Sequence, residues 1–298
     1  MERPYQGPSA TTRSTRSLSL ATRVLVHSWP VAARSCSLAS PLLVLVVTTS
    51  AGLGACGRFD FESVAARADG PAAGDASSGY RAIVLADQPA AYWRFEEPSG
   101  TTALDEIGNA HPGTFGGVIA RVPGVLADGS TGALFDGTTT RLTIGDAFGF
   151  GGTSPYSIEM WVEPSQVDSS VRFLVDRRST VTPQDGYTIY FASSFTLTSR
   201  TIANVEQAYA SGSGLALGTY THVVATFDGR STALYLDAAA IDGTADTTPI
   251  QNTAGTLVFG DVPTGQTAKL AGVLDEVAIY DHALTAAQVA AHYHAVRP

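Results

Sequence analysis

The chain has 298 residues, 44% of them hydrophobic and 15% charged, ample for one large or two small globular domains. Its formal charge of −9 is unevenly spread: residues 1–55 hold five arginines and one acid, so residues 56–298 carry −13. So acidic a surface repels phosphate backbones and speaks against nucleic acid as a partner. The two cysteines, Cys36 and Cys56, precede everything with the patterning of a folded domain. The domain therefore has no disulfide framework and no thiolate-bound zinc, and must rest on its hydrophobic core.

Residues 41–53, "PLLVLVVTTSAGL", form an apolar run too short to span a bilayer comfortably. An arginine-bearing lead, an apolar stretch and small residues before a cleavage point mark a secretory signal. "LGAC", Leu53 to Cys56, resembles the lipobox of bacterial lipoproteins, which implies that Cys56 is lipidated and becomes the first residue of the mature chain. The lead before the apolar run is long for a signal, as a translation start assigned too far upstream would explain. A lipid anchor holds a protein on a membrane surface without spanning it. Membrane contact is thus expected only through the anchor, at the cell envelope, in the outer membrane or secreted. Residues 57–80 are rich in Ala, Gly, Ser and Asp and read as a flexible tether. The expected organisation is a signal over 1–55, the lipidated cysteine and tether over 56–80, and one domain over 81–298.

From Arg81 onward, short alternating segments are separated by glycine and aspartate turns. "AYWRFE", "GALFDG", "YSIEMWVEP", "YTIYFA", "THVVATFDG", "TALYLDA" and "GVLDEVAIYD" carry the Val, Ile, Tyr, Phe and Thr enrichment of strands. "FDG" recurs at Phe135 and Phe227, each time where a strand should turn. Many short strands over roughly 200 residues predict an all-β, two-sheet antiparallel sandwich or jelly roll. The one helix predicted is C-terminal, in "HALTAAQVAAHYHAVRP", where Thr285 caps it and Gln288 completes a capping box.

Taken in order, "AYWRFEEPSGTTALDEIGNAHPGTF", "GALFDG", "YSIEMWVEP", "THVVATFDG", "LYLDA" and "GVLDEVAIYDHALTAAQVAAHY" resemble a laminin G-like domain of the concanavalin A-like jelly-roll superfamily. The resemblance covers residues 84–294. Asp237-Ala238 departs from it, since the family usually has an Asp-Gly turn there, and 195–218 is less regular.

The superfamily includes glucanases, whose resemblance implies several carboxylates on alternate residues of one strand. The nearest approach is "EMWVE", with Glu159, Trp161 and Glu163 on one face and Ile158, Met160 and Val162 on the other. Residues four apart on a strand stand about 13 Å apart, beyond the roughly 5–9.5 Å that glycosidase carboxylates use. No Gly-x-Ser-x-Gly nucleophile turn occurs either. His292 and His294, two apart on the predicted helix, point different ways and read as surface histidines, as do the isolated His111 and His222. A catalytic role is not expected.

The loop "LDEIGNAHPGTF" bears on metal binding. The resemblance implies that the first and last strands are antiparallel neighbours. Glu97, ending "AYWRFEEP", and Asp275, preceding Val277 and Ile279 on one face of "VLDEVAIY", then reach the same edge. A structural Ca2+, which takes six to eight oxygens, would be held by Glu97, Asp275, Asp105 and Asn109. The alternative is that Glu97 and Asp275 meet arginines or backbone amides while Asp105 and Asn109 make turns.

Trp161, opposite the core residues of its strand and flanked by Glu159 and Glu163, has the make-up of a sugar-stacking platform, as does Tyr190, which faces away from Ile189. Burial of Trp161 under a loop is the bland alternative. The sequence therefore points to a lipid-anchored, non-catalytic recognition domain for a glycan or a surface protein. A glycoside-active enzyme and a purely structural envelope lipoprotein are the alternatives, because a fold does not name a ligand.

Overall fold

A computed structural model describes residues 75–298, apart from 128, 252 and 264–268. Cys56, the signal and most of the tether lie outside the described residues. Two antiparallel sheets of eight strands each face one another. The first runs β14 (Ala239–Ala245), β13 (Ser231–Leu236), β12 (Thr221–Phe227), β7 (Tyr156–Pro164), β16 (Ala271–Tyr280), β5 (Thr131–Asp136) and β4 (Ala120–Pro123). A further short strand of this sheet, β1 (Ala91–Trp93), also pairs with β16. The second runs β11 (Val205–Gly212), β10 (Phe195–Ile202), β9 (Gly186–Ala192), β8 (Arg172–Asp176), β15 (Leu257–Phe259), β6 (Arg141–Gly145), β3 (Gly113–Gly116) and β2 (Thr102–Ala103). This is the predicted jelly-roll sandwich, with β1 and β16 antiparallel as expected.

Alternation along the strands fills the space between the sheets. Ile158, Met160 and Val162 of β7 point inward to meet Tyr187, Ile189 and Phe191 of β9, in one cluster that also takes Trp93 and Phe95. Both "FDG" turns work the same way: the aspartate caps the turn and the glycine takes the left-handed backbone. Asp136 Oδ1 accepts from the amides of Thr138, Thr139 and Thr140 at 2.7–2.9 Å, beside Gly137 at φ +75°. At Asp237-Ala238 the turn survives without its glycine, both residues taking positive φ, 50° and 62°.

Two helices flank the sandwich. The predicted one is α2 (Ala286–Val296), capped by Thr285 with the full capping box to Gln288. Thr285→Ala is expected to cost about 1 kcal/mol, read as a small fall in the thermal midpoint. The other, α1 (Asp75–Ala86), crosses the expected boundary between tether and domain at residue 80. Tyr80 and Val84, one helical turn apart, are fully buried, so the domain starts upstream of 81. Neither helix is long and apolar enough to cross a membrane.

Both helices pack on one surface. Tyr80 and Val84 of α1, Leu284 just before α2 and Val289 within it form a second cluster with Tyr92, Trp161, Val224 and Tyr280. Those strand residues belong to the first sheet and face away from the sandwich interior, so the helices roof its outer face. No helix of the described residues lies on the second sheet in this way; on its outer face Tyr190, Phe195 and Leu197 are partly exposed, while Phe173, Thr188, Ser199 and Asp176 are buried.

Candidate recognition face and the sealed polar cluster

The roof removes the expected platform. Trp161 does face away from Ile158, Met160 and Val162, but it is fully buried. Its ring lies between His222, centroids 4.7 Å apart, and Tyr293 of α2, 6.0 Å away, and its indole N–H donates to the Tyr80 hydroxyl at 3.0 Å. No ligand can stack on it in this arrangement. Glu159, its neighbour on that face, is buried as well, while Glu163 is half-buried at the end of β7. The four residues expected to bind a ligand therefore do not form one site, because Tyr190 lies on the other sheet.

Beneath the roof, Glu159 is the hub of a polar cluster. Its Oε1 accepts from Tyr80 Oη at 3.0 Å and stands 2.8 Å from His222 Nε2; its Oε2 accepts from Tyr280 Oη at 2.7 Å. His292 Nδ1 lies 2.9 Å from both oxygens, and its Nε2 lies 2.9 Å from Asp87 Oδ2. A carboxylate can only accept, so both His292 nitrogens must donate and the ring is an imidazolium. Burial by itself would push Glu159 up, but the His292 charge and the bonds from His222 and His292 outweigh it and hold its pKa well below the usual carboxylate range. Burial pushes His292 down; Glu159 and Asp87 outweigh that and raise it above 6.5.

An acid and two histidines in contact resemble catalytic machinery, but Glu159, His222 and His292 have no exposed surface at all. With no access for a substrate, the cluster clamps α1 and α2 to the sheet. Reading His222 and His292 as surface groups is thus corrected: period and spacing place them on a strand and a helix but cannot show that both converge on Glu159.

The calcium ligands do not assemble either. Glu97 accepts from the Leu104 amide at 2.6 Å and pairs with Arg121 at 3.1 Å. Asp105 accepts three backbone amides, those of Tyr92, Ile107 and His111, at 2.9–3.0 Å, and Asn109 Oδ1 accepts from the Asp105 amide at 3.2 Å. The loop that holds these two residues is a turn fastened to β1. Asp275 Oδ2 takes the Val125 amide at 2.8 Å. A break in alternation explains why Asp275 does not share a face with Val277 and Ile279. The pairing of β16 with β7 shifts register between Asp275 and Ala278, and Leu274 and Val277, three apart, both reach the core. Glu276 falls in this bulge at φ +50°, accepts from Tyr92 Oη and pairs with Arg94 at 3.1 Å. Among the described residues, no three His, Cys, Asp or Glu side chains come together as a metal site. These residues do not fit a single calcium shell.

The outer face of the second sheet is different. Phe173, Tyr190 and Leu197 are direct cross-strand partners on β8, β9 and β10, so their side chains line up on one face. Ile189 and Phe191 point to the core, and Tyr190, partly exposed, points out, as its place in the sequence predicts. Phe195 meets Tyr190 edge-on at 6.0 Å, and the Arg178 guanidinium lies 5.4 Å from the Phe173 ring centre. Tyr190 Oη donates to Glu206 Oε1 at 3.0 Å. Next to this row runs a mostly polar one of successive cross-strand partners, Ser199, Thr188, Asp176, Val258, Thr143 and Thr114, of which the first four are buried and Thr143 and Thr114 reach the surface. Asp176 is almost fully buried and bound to Arg178, Nε to Oδ2 at 3.0 Å; burial raises its pKa despite that bond. The accessible part of this face is Tyr190, Phe195 and Leu197 with Glu206 beside them, aromatic surface next to a hydrogen-bonding group, a chemistry that carbohydrate binding uses.

A family model described as the concanavalin A-like lectin/glucanases superfamily matches residues 136–290, just over half of the chain. Among solved structures, domain 4 of AbnA, a GH43 extracellular arabinanase from Geobacillus stearothermophilus, was determined in complex with arabinotriose. It superposes with a TM-score of 0.53 at 20% identity, over 68% of this chain and 96% of that one. The binding domain of Paraclostridial Mosquitocidal Protein 1 gives 0.58 at 14% identity, over 70% of this chain and 52% of that one. A mutant Trypanosoma rangeli sialidase displaying trans-sialidase activity gives 0.53 at 13%, over 70% and 33%. The chain thus spans about half of the toxin domain and a third of the sialidase. No curated protein matches the sequence. At these identities the likeness is one of fold, and that fold serves binding domains and enzymes alike.

Proposed function

Because the chain belongs to the concanavalin A-like lectin/glucanase superfamily, we propose that it is a non-catalytic recognition domain that binds glycan on the outer face of its second sheet. The observation that carries this reading is the asymmetry of the two outer faces: helices seal the first, while the second leaves Tyr190, Phe195 and Leu197 partly exposed around the buried Phe173 ring. Three acids of the second face are engaged rather than poised for proton transfer, Asp176 with Arg178, Asp261 with Lys269 and Glu206 with the Tyr190 hydroxyl. That favours recognition over hydrolysis. The lipobox-like "LGAC" supports an anchor at Cys56 and a place in the cell envelope, with the tether setting the domain off from the membrane.

The test is a broad glycan array, run in calcium and again in chelator. Reproducible binding to one sugar class is expected in both conditions, since among the described residues no three His, Cys, Asp or Glu side chains gather on the proposed face to hold an ion. Tyr190→Ala should weaken that binding about tenfold, as loss of one stacking ring is worth on the order of 1 kcal/mol. Silence on the array would remove the glycan reading and leave a protein partner or a structural role.

A further inference from the structure

A cleft of about 210 Å3 opens on the same outer face, lined by Arg141, Thr143, Thr256, Val258, Val262 and Pro263. Its floor lies on β6 and β15, and cross-strand partnership links Thr143 through Val258 and Asp176 to Thr188, two residues from Tyr190. The three strand spacings from β9 to β6 amount to about 14 Å. An oligosaccharide longer than that distance, resting on the Tyr190 ring, would pass over the buried Thr188, Asp176 and Val258 to the cleft. Resting on the glycan-binding reading above, we propose that this cleft is an acidic-sugar subsite, in which Arg141 binds the carboxylate of a uronate.

Charge carries the argument. Asp261, buried at the edge of the cleft, has its Oδ2 taken by Lys269 Nζ at 2.7 Å, while Arg141 Nη1 stands 3.9 Å from the same oxygen. Two cations thus share one carboxylate. Asp176, the next acid on this face, is neutralised by Arg178. At the cleft itself one positive charge is in excess, on the Arg141 side chain, which is 52% exposed; Glu206, the acid beside Tyr190, lies on β11 at the other end of the sheet. Shape agrees with this. Gly116, opposite Arg141 on β3, leaves the space across which the side chain lies: a Cβ there would stand 3.3 Å from Nε. A guanidinium matches a carboxylate through two parallel N–H bonds, which a neutral sugar does not offer. Thr143 and Thr256 supply hydroxyl partners, and Val258, Val262 and Pro263 supply the apolar surface against which a sugar ring packs.

The experiment is calorimetric titration of the full-length protein with trimers of galacturonate, glucuronate and mannuronate, with their methyl esters, and with hexaglutamate. At least one uronate trimer is expected to bind ten or more times tighter than its ester. Arg141→Gln should abolish that preference while leaving ester binding and the thermal midpoint unchanged, and Arg141→Lys should restore part of it. Tyr190→Ala should weaken acid and ester alike. Equal affinity for acid and ester, or a preference that survives Arg141→Gln, overturns the acidic subsite; if Tyr190→Ala still weakens binding, the general glycan reading stands. Hexaglutamate binding as tightly as the uronates assigns the cleft to acidic peptide and overturns the sugar. Binding of no saccharide overturns both readings together.

Discussion

Glu159→Gln is expected to destabilise the domain by about 3–5 kcal/mol, the usual result of removing one member of a buried ion pair. For a domain of this size that is a fall in thermal midpoint of about 6–20 °C. The substitution is nearly isosteric, so the loss comes from charge and hydrogen bonding rather than from a cavity. The His292 imidazolium would be left facing a neutral amide, and the new NH2 would point a donor at other donors: Tyr80, His222, Tyr280 or His292 itself. Because Tyr80 belongs to α1 and His292 to α2, both helices should loosen together, exposing Trp161. A red shift of tryptophan emission at the midpoint of a shallow early transition would report it. An unchanged midpoint would mean that hydrophobic packing alone holds the roof in place.

The same pair fixes the pH range over which the roof is tight. His292 has its pKa raised on folding, so its contribution is complete below about 6.5 and is lost as pH rises through the folded value. Glu159 has its pKa lowered, so its contribution is complete above 4.5 and is lost as pH falls toward the folded value. The pair thus stabilises the domain most between these limits. Glu276 works in the same direction as His292 on the alkaline side: burial, only partly offset by Arg94, raises it from 4.5 to about 7, so its ionisation costs stability as pH climbs through that interval. Wild-type stability should peak in mildly acid solution, and Glu159→Gln should flatten both limbs that belong to the pair.

The strands were legible because period two and turn chemistry are local. Alternation in "YSIEMWVEP" correctly sends Ile158, Met160 and Val162 to the core and Trp161 outward, and the "FDG" pairs mark real turns. What lies over an outward residue is not local. Trp161 is covered by segments about 80 residues before it and about 130 after it, and no spacing rule joins Glu159 to His292. The first covering helix is hidden in "DASSGYRAIVLA", whose small residues and central glycine read as tether, although Tyr80 and Val84 at one-turn spacing are the signal it offers. The bulge at Asp275–Glu276 defeats strict alternation for a similar reason: an inserted residue leaves no mark in composition. Tyr190 escaped these difficulties because its strand is regular and no helix of the described residues lies over its face.

A fragment limited to residues 136–290, the part that the family model matches, is expected to be insoluble, whereas residues 75–298 fold cooperatively. The short fragment lacks α1, β1 to β4 and most of β5. Strand β16 then loses both β1 and β5, and a buried ten-residue strand becomes an open edge, an invitation to aggregation. Strand β6 loses β3, and the core loses Trp93, Phe95, Phe115 and Phe135. The end at 290 also removes His292 and Tyr293, and with them the clamp on Glu159 and one face of the Trp161 stack. An intermediate fragment, 81–298, keeps every strand but lacks Tyr80, whose buried ring and two hydrogen bonds make its loss worth about 3 kcal/mol. Size-exclusion chromatography and thermal melts of the three separate these cases. Cooperative unfolding of 136–290 would mean that the roof and the N-terminal strands are additions to a self-sufficient sandwich; stability rising stepwise from 81 to 75 would place the true start of the fold in α1.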